Sequence, residues 1–560
     1  MKRFFLVALA IAGSLYAANA DSHPPVILIS IDTLRADHLS AWGYRRVATP
    51  NIDSLAKGGT LFENIACQTP LTLPSHTTLL TSTYPFENGI QENAEKVPPA
   101  MATLASVLKA RGYRTAAFIG SVFLEAELGL DQGFDTYDSP FHFEAFSPLS
   151  GEVFFGGVEN PYSVRDRRDG ELVLAAASRW LNANHGQSAF VFVHLFDLHT
   201  PYLLPPEAAR QKGISRYDAQ LLYVDELVGR FRKALMDGGW WDRSIVALVS
   251  DHGEGLGDHG ENLHGYFVYQ STLRVPVIVH WPSGAPARPV RVSEPGGLID
   301  VAPSILDALH VPAPPSFHGV SLLSTAPRVV YAETLNTHDA FGWAPLRSVR
   351  IGDSKYIDAP RPELYNLARD SAEQHNLIRA NPGEAHRLRE ELLKLEGRYP
   401  RRDSQPAPGT PPQTQRLLSS LGYVSRGPRA ASASSEPDPK DKLAEYHIYE
   451  LSMDAVSHRR LHEAVGLLLK ILAMDDRNLL AHRDLASCYL DLHEYEKARL
   501  NFERVAAAVS NDYASQFGLG MANKGLGRIE TARQHFQEAC RIAPQATQCR
   551  RELSELPPAP

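Results

Sequence analysis

The feature that most constrains how this chain folds is an alternation of short β-branched runs with helical patterns over residues 21–400. In four of these runs nearly every position is apolar, as expected of strands that are buried on both faces. They lie at residues 26–31, 115–119, 190–195 and 245–249. Strands that alternate with helices are typical of a mostly parallel sheet covered by helices on both faces. The sequence therefore predicts a doubly wound α/β domain.

Composition and charge narrow the class of protein. The 560 residues are 44% hydrophobic and 21% charged, in the range of globular chains, so a collagenous, coiled-coil or wholly disordered protein is excluded. Lys and Arg number 56 against 64 Asp and Glu, which gives a net charge of -8. Sequence-independent binding to nucleic acid needs clustered cations that neutralise phosphates. We therefore expect no nucleic-acid polymer among the partners.

The first twenty residues have the pattern of a secretory signal peptide. Lys2 and Arg3 precede an apolar stretch, and Ala18-Asn19-Ala20 supplies the small residues of a cleavage site. The apolar stretch is shorter than the roughly 20 residues that span a bilayer, which argues against an uncleaved anchor. We expect cleavage after Ala20, export to the periplasm or out of the cell, and no membrane anchor on the mature chain.

Two further units are expected after the α/β domain. Residues 401–440 are rich in Pro, Ser and Ala, which predicts a linker. Residues 441–556 contain a repeat with a 34-residue period, seen at Ala464, Ala498 and Ala532, at Leu468, Phe502 and Phe536, and at Leu451, Leu485 and Leu519. This period resembles the tetratricopeptide repeat, a helix-turn-helix unit that stacks into an all-α solenoid. The resemblance implies about three repeats, beginning near residues 445, 479 and 513, with a groove for a protein or peptide partner.

Two details of this region can be tested against a structure. Gly520 follows Leu519 where the helices of such a unit approach closely. The chain has only four cysteines, so no disulfide scaffold is expected. Cys540 and Cys549 are candidates to pair in an oxidising compartment, and their spacing leaves this open.

Carboxylate and imidazole side chains follow three of the predicted strands. Asp32 follows the first, Asp197 and His199 follow the third, and Asp251 and His252 follow the fourth. Open parallel sheets bind ligands at the carboxyl ends of their strands, where loops and helix N-termini converge. A single Asp there is usually a helix cap, but the coincidence at three strand ends favours a metal site. Because Asp oxygens and His nitrogens are mixed, zinc or manganese fits better than calcium.

A glycine-rich loop follows the fourth of these strands. Its sequence, SDHGEGLGDHGENLHG at residues 250–265, adds His259 and His264. The glycines permit a tight path back across the strand ends, so we expect His264 to reach the site. Asp258 and Glu261 of the same loop are interpreted as an exposed acidic turn.

A nucleophile candidate lies in TPLTLPSHTTLLTSTYP, residues 69–85. Pro74 suits the first turn of a helix that carries residues 75–81. Thr72 is then expected just before a helix N-terminus, where backbone N–H groups stabilise an oxyanion. A threonine hydroxyl is a weak nucleophile at neutral pH, and coordination to a divalent metal lowers its pKa. Taken alone, Thr72 is better explained as a helix cap.

Several segments together resemble the sulfatase branch of the alkaline phosphatase superfamily. They are IDTLRADHLSAWGY, TPNIDSLAKGG, TLPSHTTLLTSTYP, VHLFDLHTPY, SDHGEGLGDHG, LRVPVIVHWP and ELYNLARDSAEQHNL, in that family's order from residue 24 to about 400. The resemblance implies a metal-dependent hydrolase that acts on an anionic ester.

The chain also departs from the sulfatase pattern. Sulfatases carry Cys or Ser at the start of C-x-P-S-R and oxidise it to formylglycine, whereas this chain has Thr72 there and His76 in place of Arg. Threonine is not a formylglycine precursor, so we expect none. Ile31 precedes Asp32 where the family has paired Asp, and His264 stands where Lys is more usual. The segment T-L-P-S-H is more similar to the nucleophile segment of nucleotide pyrophosphatase/phosphodiesterases, and a metal-bound Thr also serves in phosphoethanolamine transferases.

The resemblance implies a role for each candidate residue. One metal is held by Asp32, Asp251, His252 and the Thr72 oxygen. His199 and His264, with or without Asp197, form either a second metal site or a cationic cradle for the transferred group, and His76 is a candidate substrate contact. Two metals favour phosphate monoesters, which are dianions, and one favours the monoanionic phosphodiesters and sulfate esters. The sequence leaves this choice open.

We predict hydrolysis of phosphodiesters or phosphomonoesters, with Thr72 as nucleophile and a phosphothreonine intermediate. Sulfate ester hydrolysis is the alternative that most of the motifs suggest. A phosphoethanolamine-type transferase is less favoured, because such enzymes usually carry several membrane spans. A non-catalytic binding protein on a relic hydrolase fold is less favoured because Asp32, Asp251 and His252 all remain.

Overall fold

The structure is a computed structural model that describes residues 24–93, 95–141, 167–203, 213–402, 436–544 and 546–558. A mixed sheet forms the centre of the first domain. Its strands are β1 (Val26–Ile31), β2 (Gly59–Ala66), β3 (Arg114–Phe118), β4 (Thr136–Asp138), β5 (Ala189–Leu195), β6 (Ile245–Val249), β7 (Arg274–His280), β8 (Arg291–Val292) and β9 (Gly296–Gly297). Within the described residues the sheet has nine strands, in the order β4-β3-β5-β1-β6-β7-β2-β8, with β9 beside β2.

The central strands of this sheet are parallel, as the sequence predicts. β1 lies between β5 and β6 and is parallel to both, so the carboxyl ends of all three strands meet at one edge. β3 continues the parallel arrangement beyond β5, whereas β7 is antiparallel to both of its neighbours. The four predicted apolar runs coincide with β1, β3, β5 and β6 to within one residue at each end.

Helices cover both faces of the sheet, and the alternation of side chains along β1 explains why. Ile27, Ile29 and Ile31 pack on one face and Val26 and Leu28 on the other, and all five are buried. The first face is covered by α1 (Pro50–Lys57), α5 (Gly170–Ala183) and α6 (Arg216–Asp237), and the second by α2 (Thr72–Thr81), α4 (Leu104–Lys109), α7 (Gln270–Leu273) and α8 (Val301–Ala308). The short helix α3 (Pro85–Asn88) follows α2, and its Phe86 packs in a separate cluster. The doubly wound α/β prediction is confirmed.

A second, antiparallel sheet follows, which the sequence patterns did not indicate. It contains β10 (Val330–Thr334), β11 (Leu346–Ile351), β12 (Ser354–Asp358) and β13 (Glu363–Asn366). The helix α9 (Asn336–Phe341) connects its first two strands, and α10 (Pro382–Arg398) packs through Leu388 and Leu392 against Val349 and Tyr356 of the sheet.

The C-terminal region is a run of antiparallel helices. They are α11 (Leu443–Ser457), α12 (Leu461–Met474), α13 (Leu479–Asp491), α14 (Tyr495–Ala508), α15 (Tyr513–Gly525), α16 (Ile529–Ile542) and α17 (Thr547–Glu555). The second and third predicted repeats, at residues 479 and 513, begin at the first residues of α13 and α15. The all-α repeat architecture is therefore confirmed.

The 34-residue register predicts most of the repeat core. Leu485 and Leu519 are buried, and a Cβ added to Gly520 would lie 2.4 Å from the ring of Phe536, which confirms the close approach of helices there. Leu451, at the equivalent position of the first repeat, is instead 57% exposed, and none of the described repeat helices precedes α11.

Several predictions fall outside the described residues. The signal peptide at residues 1–20 lies there, as does most of the linker, residues 403–435. In the described ranges no helix combines the length and apolar character needed to cross a membrane. Cys540 of α16 and Cys549 of α17 form a disulfide, which resolves the pairing that the spacing left open.

Candidate metal and nucleophile site

Three predicted metal ligands meet at the carboxyl edge of the central strands. Asp32 directly follows β1, and Asp251 and His252 follow β6, the parallel neighbour of β1. All three side chains are fully buried, and their ligand atoms lie within 4.8 Å of one another. The convergence follows from topology, because neighbouring parallel strands end at the same edge of the sheet.

The hydrogen bonds of Asp251, His252 and Asp32 leave one oxygen or nitrogen atom of each side chain without a hydrogen-bond partner. Asp251 Oδ1 accepts hydrogen bonds from the backbone N–H groups of Thr33 and His252, while Asp251 Oδ2 has no hydrogen-bond partner. His252 Nδ1 donates to the Gly253 carbonyl, which leaves the Nε2 lone pair directed inward without a hydrogen bond. Asp32 Oδ1 is likewise without a hydrogen-bond partner.

The electrostatics of this group also fit a cation. Burial raises the pKa of Asp32 to about 6, and burial together with the charge of Asp32 raises the pKa of Asp251. Two buried carboxylates side by side are costly unless a positive charge compensates them. Two carboxylate oxygens and one imidazole nitrogen are ligands that zinc and manganese accept. The residues present therefore fit a divalent metal ion.

The nucleophile candidate lies beside this group. Thr72 Oγ1 donates a 3.4 Å hydrogen bond to Asp32 Oδ2, and the Thr72 side chain is fully buried. The helix α2 begins at Thr72, so Thr72 lies in the first helical turn rather than just before it, as the sequence had suggested. The hydroxyl thus lies at the positive end of a helix, where developing negative charge is stabilised.

His76 lies one turn further along α2 and both of its ring nitrogens are engaged. Nδ1 donates to the Thr72 carbonyl at 2.7 Å, so Nε2 accepts from the Ser30 hydroxyl at 2.9 Å. Burial lowers the pKa of His76 to about 3, so the ring is neutral. In this tautomer His76 supports the backbone of Thr72 from inside the fold, whereas the sequence offered it as a substrate contact.

Three histidine rings form a row on one side of the metal candidates. The ring of His264 lies 4.3 Å from that of His252 and 5.2 Å from that of His199, measured between centroids. His264 Nδ1 bonds to Glu254 Oε1 at 3.0 Å, and His199 Nδ1 donates to the Thr200 carbonyl. Burial lowers the pKa of His264 to about 4 and that of His199 well below its usual value. The two histidines that the sequence grouped together are therefore neighbours in the structure.

Asp197 has a different environment. Its Oδ1 accepts a hydrogen bond from the backbone N–H of Gly170 at the start of α5, and burial raises its pKa to about 7. It belongs to neither group of metal-ligand atoms that the described residues contain. The structure thus places Asp197 at a helix N-terminus, apart from the ligand atoms of Asp32, Asp251 and His252.

Sequence reasoning missed two groups in the site. His194 lies within β5, with Nε2 3.4 Å from Asp32 Oδ2, and its ligand atoms group with those of His76 and Asp251. The period-two alternation of β5 was the available signal, because His194 shares a face with Phe190 and Phe192. Asn93 was also missed: its Oδ1 accepts from Leu73 N at the start of α2, and no simple spacing indicates this contact.

The loop that carries His264 is more ordered than an exposed turn. Backbone hydrogen bonds link Gly255 to Leu263, Leu256 to Asn262 and Gly257 to Glu261, so the loop folds back on itself. The interpretation of Glu261 as exposed was wrong, because its buried carboxylate accepts hydrogen bonds from the backbone N–H groups of Tyr266 and Phe267. Asp258 is half exposed and pairs with Arg35.

Comparisons with known proteins agree with this fold and site. The family profile described as sulfatase matches residues 24–311, and the tetratricopeptide repeat profile matches residues 449–512 and 489–547. A doubly wound α/β domain with a buried group of metal-ligand atoms at its strand ends is the class that these features define. The chain belongs to the sulfatase family, and it carries tetratricopeptide repeats at its C-terminal end.

Individual relatives differ in what they act on. An N-acetylgalactosamine-6-O-sulfatase of Bacteroides thetaiotaomicron is 24% identical over 482 residues, which cover 67% of this chain and 93% of that enzyme. An ulvan-active sulfatase of Formosa agariphila is 25% identical, and the match spans 53% of this chain and 64% of that protein. The phosphonate monoester hydrolase of Agrobacterium radiobacter has the same fold, with a TM-score of 0.54 at 20% identity over 67% of this chain and 96% of that one.

Proposed function

We propose that this protein is a metal-dependent phosphodiesterase in which Thr72 is the nucleophile. The observation that carries the proposal is the placement of the Thr72 hydroxyl at the N-terminus of α2, 3.4 Å from Asp32 Oδ2 of the ligand group. Threonine at this position argues against the formylglycine that sulfatases use, so a sulfatase-type fold here carries a different nucleophile.

The ligand group supports one metal ion. The second possible group shares Asp251 with the first, and it includes His76, whose ring nitrogens are engaged by Thr72 and Ser30. One divalent ion compensates a monoanionic ester better than a dianionic one. Phosphodiesters and phosphonate monoesters are therefore favoured over phosphate monoesters, and the phosphonate monoester hydrolase with the same fold is in keeping with this choice.

In the proposed reaction the metal ligands and Thr72 have separate roles. Asp32, Asp251 and His252 would hold zinc or manganese, which lowers the pKa of a nearby hydroxyl and offsets charge on the ester. Thr72 Oγ1 attacks phosphorus as its proton passes to solvent, the ester P–O bond breaks, and the departing alkoxide takes a proton from water to leave as the alcohol. Water then attacks phosphorus and breaks its bond to Thr72 Oγ1, which takes up a proton again as a phosphate monoester is released.

Neighbouring residues position these groups and contact the ester. His76 holds the Thr72 carbonyl and so orients the first turn of α2. His199 and His264 lie in a row beside His252, and their lowered pKa values favour neutral rings. Burial raises the pKa of Glu254 to about 8, so its protonated carboxyl can donate to His264 Nδ1 and leave the Nε2–H of His264 for an ester oxygen. Nδ1 of the neutral His199 ring donates to the Thr200 carbonyl, so its Nε2 can only accept a hydrogen bond or bind a cation.

A panel of esters tests this proposal. Protein that begins at Asp21 would be given bis-nitrophenyl phosphate, nitrophenyl phosphate and nitrophenyl sulfate, with zinc or manganese added. We expect the diester to be turned over fastest and the activity to be lost with chelator. Thr72→Ala should lower kcat by at least about a thousandfold, because it removes the attacking oxygen.

Two variants control for structural effects in the same helix. Thr72→Ser keeps a hydroxyl and should retain measurable activity. Thr77→Ala removes a buried hydroxyl that bonds only to the Leu73 carbonyl, and it should keep wild-type kcat. Diester turnover that survives in Thr72→Ala would contradict the assignment of the nucleophile.

Sulfate ester hydrolysis is the second candidate, because the curated relatives described above are sulfatases. Turnover of nitrophenyl sulfate alone, unchanged by Thr72→Ala, would favour it. For the C-terminal helices we propose a protein or peptide partner, since tetratricopeptide repeats are protein-interaction modules.

A further inference from the structure

The first repeat helix, α11, packs directly against the loop that carries His264. Four residues of α11 face this loop: Leu443, Tyr446, His447 and Glu450. Their spacing of i, i+3, i+4 and i+7 places them on one stripe of the helix. Other residues of α11, such as Tyr449 and Met453, pack into the repeat core. One face of α11 therefore packs against the hydrolase domain, and another packs into the repeat core.

Two hydrogen bonds tie α11 to the loop on either side of Glu261. His447 Nε2 donates to the Gly260 carbonyl at 2.5 Å, and Glu450 Oε2 accepts from Asn262 Nδ2 at 3.0 Å. Leu443 packs over Gly260, where an added Cβ would lie 3.2 Å from Leu443 Cδ1. The loop also forms backbone hydrogen bonds within itself, so these contacts add side-chain anchors from another domain.

Aromatic packing secures the same helix just beyond His264. The ring of Tyr446 lies 4.2 Å from that of Tyr266, and the Tyr266 hydroxyl donates to the Pro439 carbonyl at 2.6 Å. The contacts of α11 at residues 260, 262 and 266 thus flank His264 on both sides along the chain. The opposite side of the loop is held by Arg35, through Asp258 and the carbonyls of residues 254 and 255.

We propose that α11 positions the loop that carries His264, residues 250–265, and that His447 and Glu450 are the positioning residues. The repeat module and the hydrolase domain then form one functional unit, in which α11 sets where His264 lies relative to His252. This inference deepens the proposed function, because it concerns the same site.

The test compares full-length variants that remove these two hydrogen bonds. In His447→Ala/Glu450→Ala we expect kcat/KM for bis-nitrophenyl phosphate to fall about tenfold, mainly through kcat, because small displacements of catalytic groups are costly. Amide hydrogen exchange in peptides covering residues 255–266 should become about tenfold faster, as expected for the loss of two hydrogen bonds. Peptides covering residues 26–31 should exchange as in the wild type.

Two further variants separate positioning from general destabilisation. Glu450→Gln keeps an oxygen that accepts from Asn262 and should restore most of the activity lost in Glu450→Ala. Glu538→Ala removes an exposed ion pair with Arg541 in α16 and should change neither readout. If the double variant folds poorly, the comparison of Glu450→Ala with Glu450→Gln provides the same evidence.

The proposal is overturned if amide hydrogen exchange of residues 255–266 is unchanged in the double variant. It is also overturned if this exchange becomes faster while kcat stays unchanged. The exchange measurement needs no substrate. If the wild type turned over no ester, the proposed function would fail, while faster exchange confined to residues 255–266 would still support α11 as the element that holds the loop.

Discussion

Replacing Asp32 with Asn should stabilise the metal-free protein while abolishing its response to metal. Asp32 is fully buried beside Asp251, its Oδ1 has no hydrogen-bond partner, and burial raises its pKa from 3.8 to about 6. An Asn amide fits the same space without a charge, and its oxygen can still accept from Thr72. The buried Asp32 carboxylate therefore lowers the stability of the metal-free protein, and only a bound cation restores it.

The magnitude and its pH dependence follow from that pKa. An acid whose pKa rises on folding makes no difference below its unfolded pKa, and it destabilises the fold increasingly as pH rises through the folded pKa. A rise from 3.8 to about 6 corresponds to about 3 kcal/mol in the metal-free protein at about pH 8. For a domain of this size that is a melting-temperature difference of about 4 °C. The difference should fall to about 0.6 kcal/mol at pH 4 and disappear below about pH 3.

Thermal unfolding in chelator at both pH values measures this effect, and adding zinc or manganese should raise the melting temperature of the wild type alone. Asp300→Asn is the matched control. Burial also raises the pKa of Asp300 to about 6, but both of its oxygens accept backbone N–H groups, from Gly297 and Val320. Asn cannot accept both, so this variant should be less stable with or without metal. A metal-free Asp32→Asn protein that melts at or below the wild-type temperature at about pH 8 would refute the reasoning.

Two further predictions concern packing and a buried ion pair. Gly520→Ala forces a Cβ against the ring of Phe536 and should destabilise the repeats by about 1–3 kcal/mol. Gly466→Ala is the control, because Gly466 of α12 faces open space, and it should be neutral or stabilising. Equal shifts in melting temperature for the two variants would contradict this prediction. Lys355→Met strips the buried carboxylate of Glu373 of its cation and should cost about 3 kcal/mol, and adding Glu373→Gln should recover part of it, as denaturant unfolding can measure.

The local sequence was sufficient where a short-range rule determines the outcome. Strands buried on both faces show as unbroken apolar runs, so β1, β5 and β6 and the side chains that follow them could be predicted. Because adjacent parallel strands end at one edge, Asp32, Asp251 and His252 could be expected to meet. The repeat period predicted α13 and α15, since each repeat buries the same positions against its neighbour.

Contacts between residues far apart in sequence were decided by the tertiary structure. His194 reaches Asp32 only because β5 pairs with β1, and Asp197 faces α5 because that helix begins beside it. Glu261 is buried by its own loop, and one face of α11 is covered by that loop, which belongs to the other domain. No local sequence pattern encodes either contact. Periodicity specifies which face of an element is buried, whereas the partner that covers it depends on how the whole chain packs.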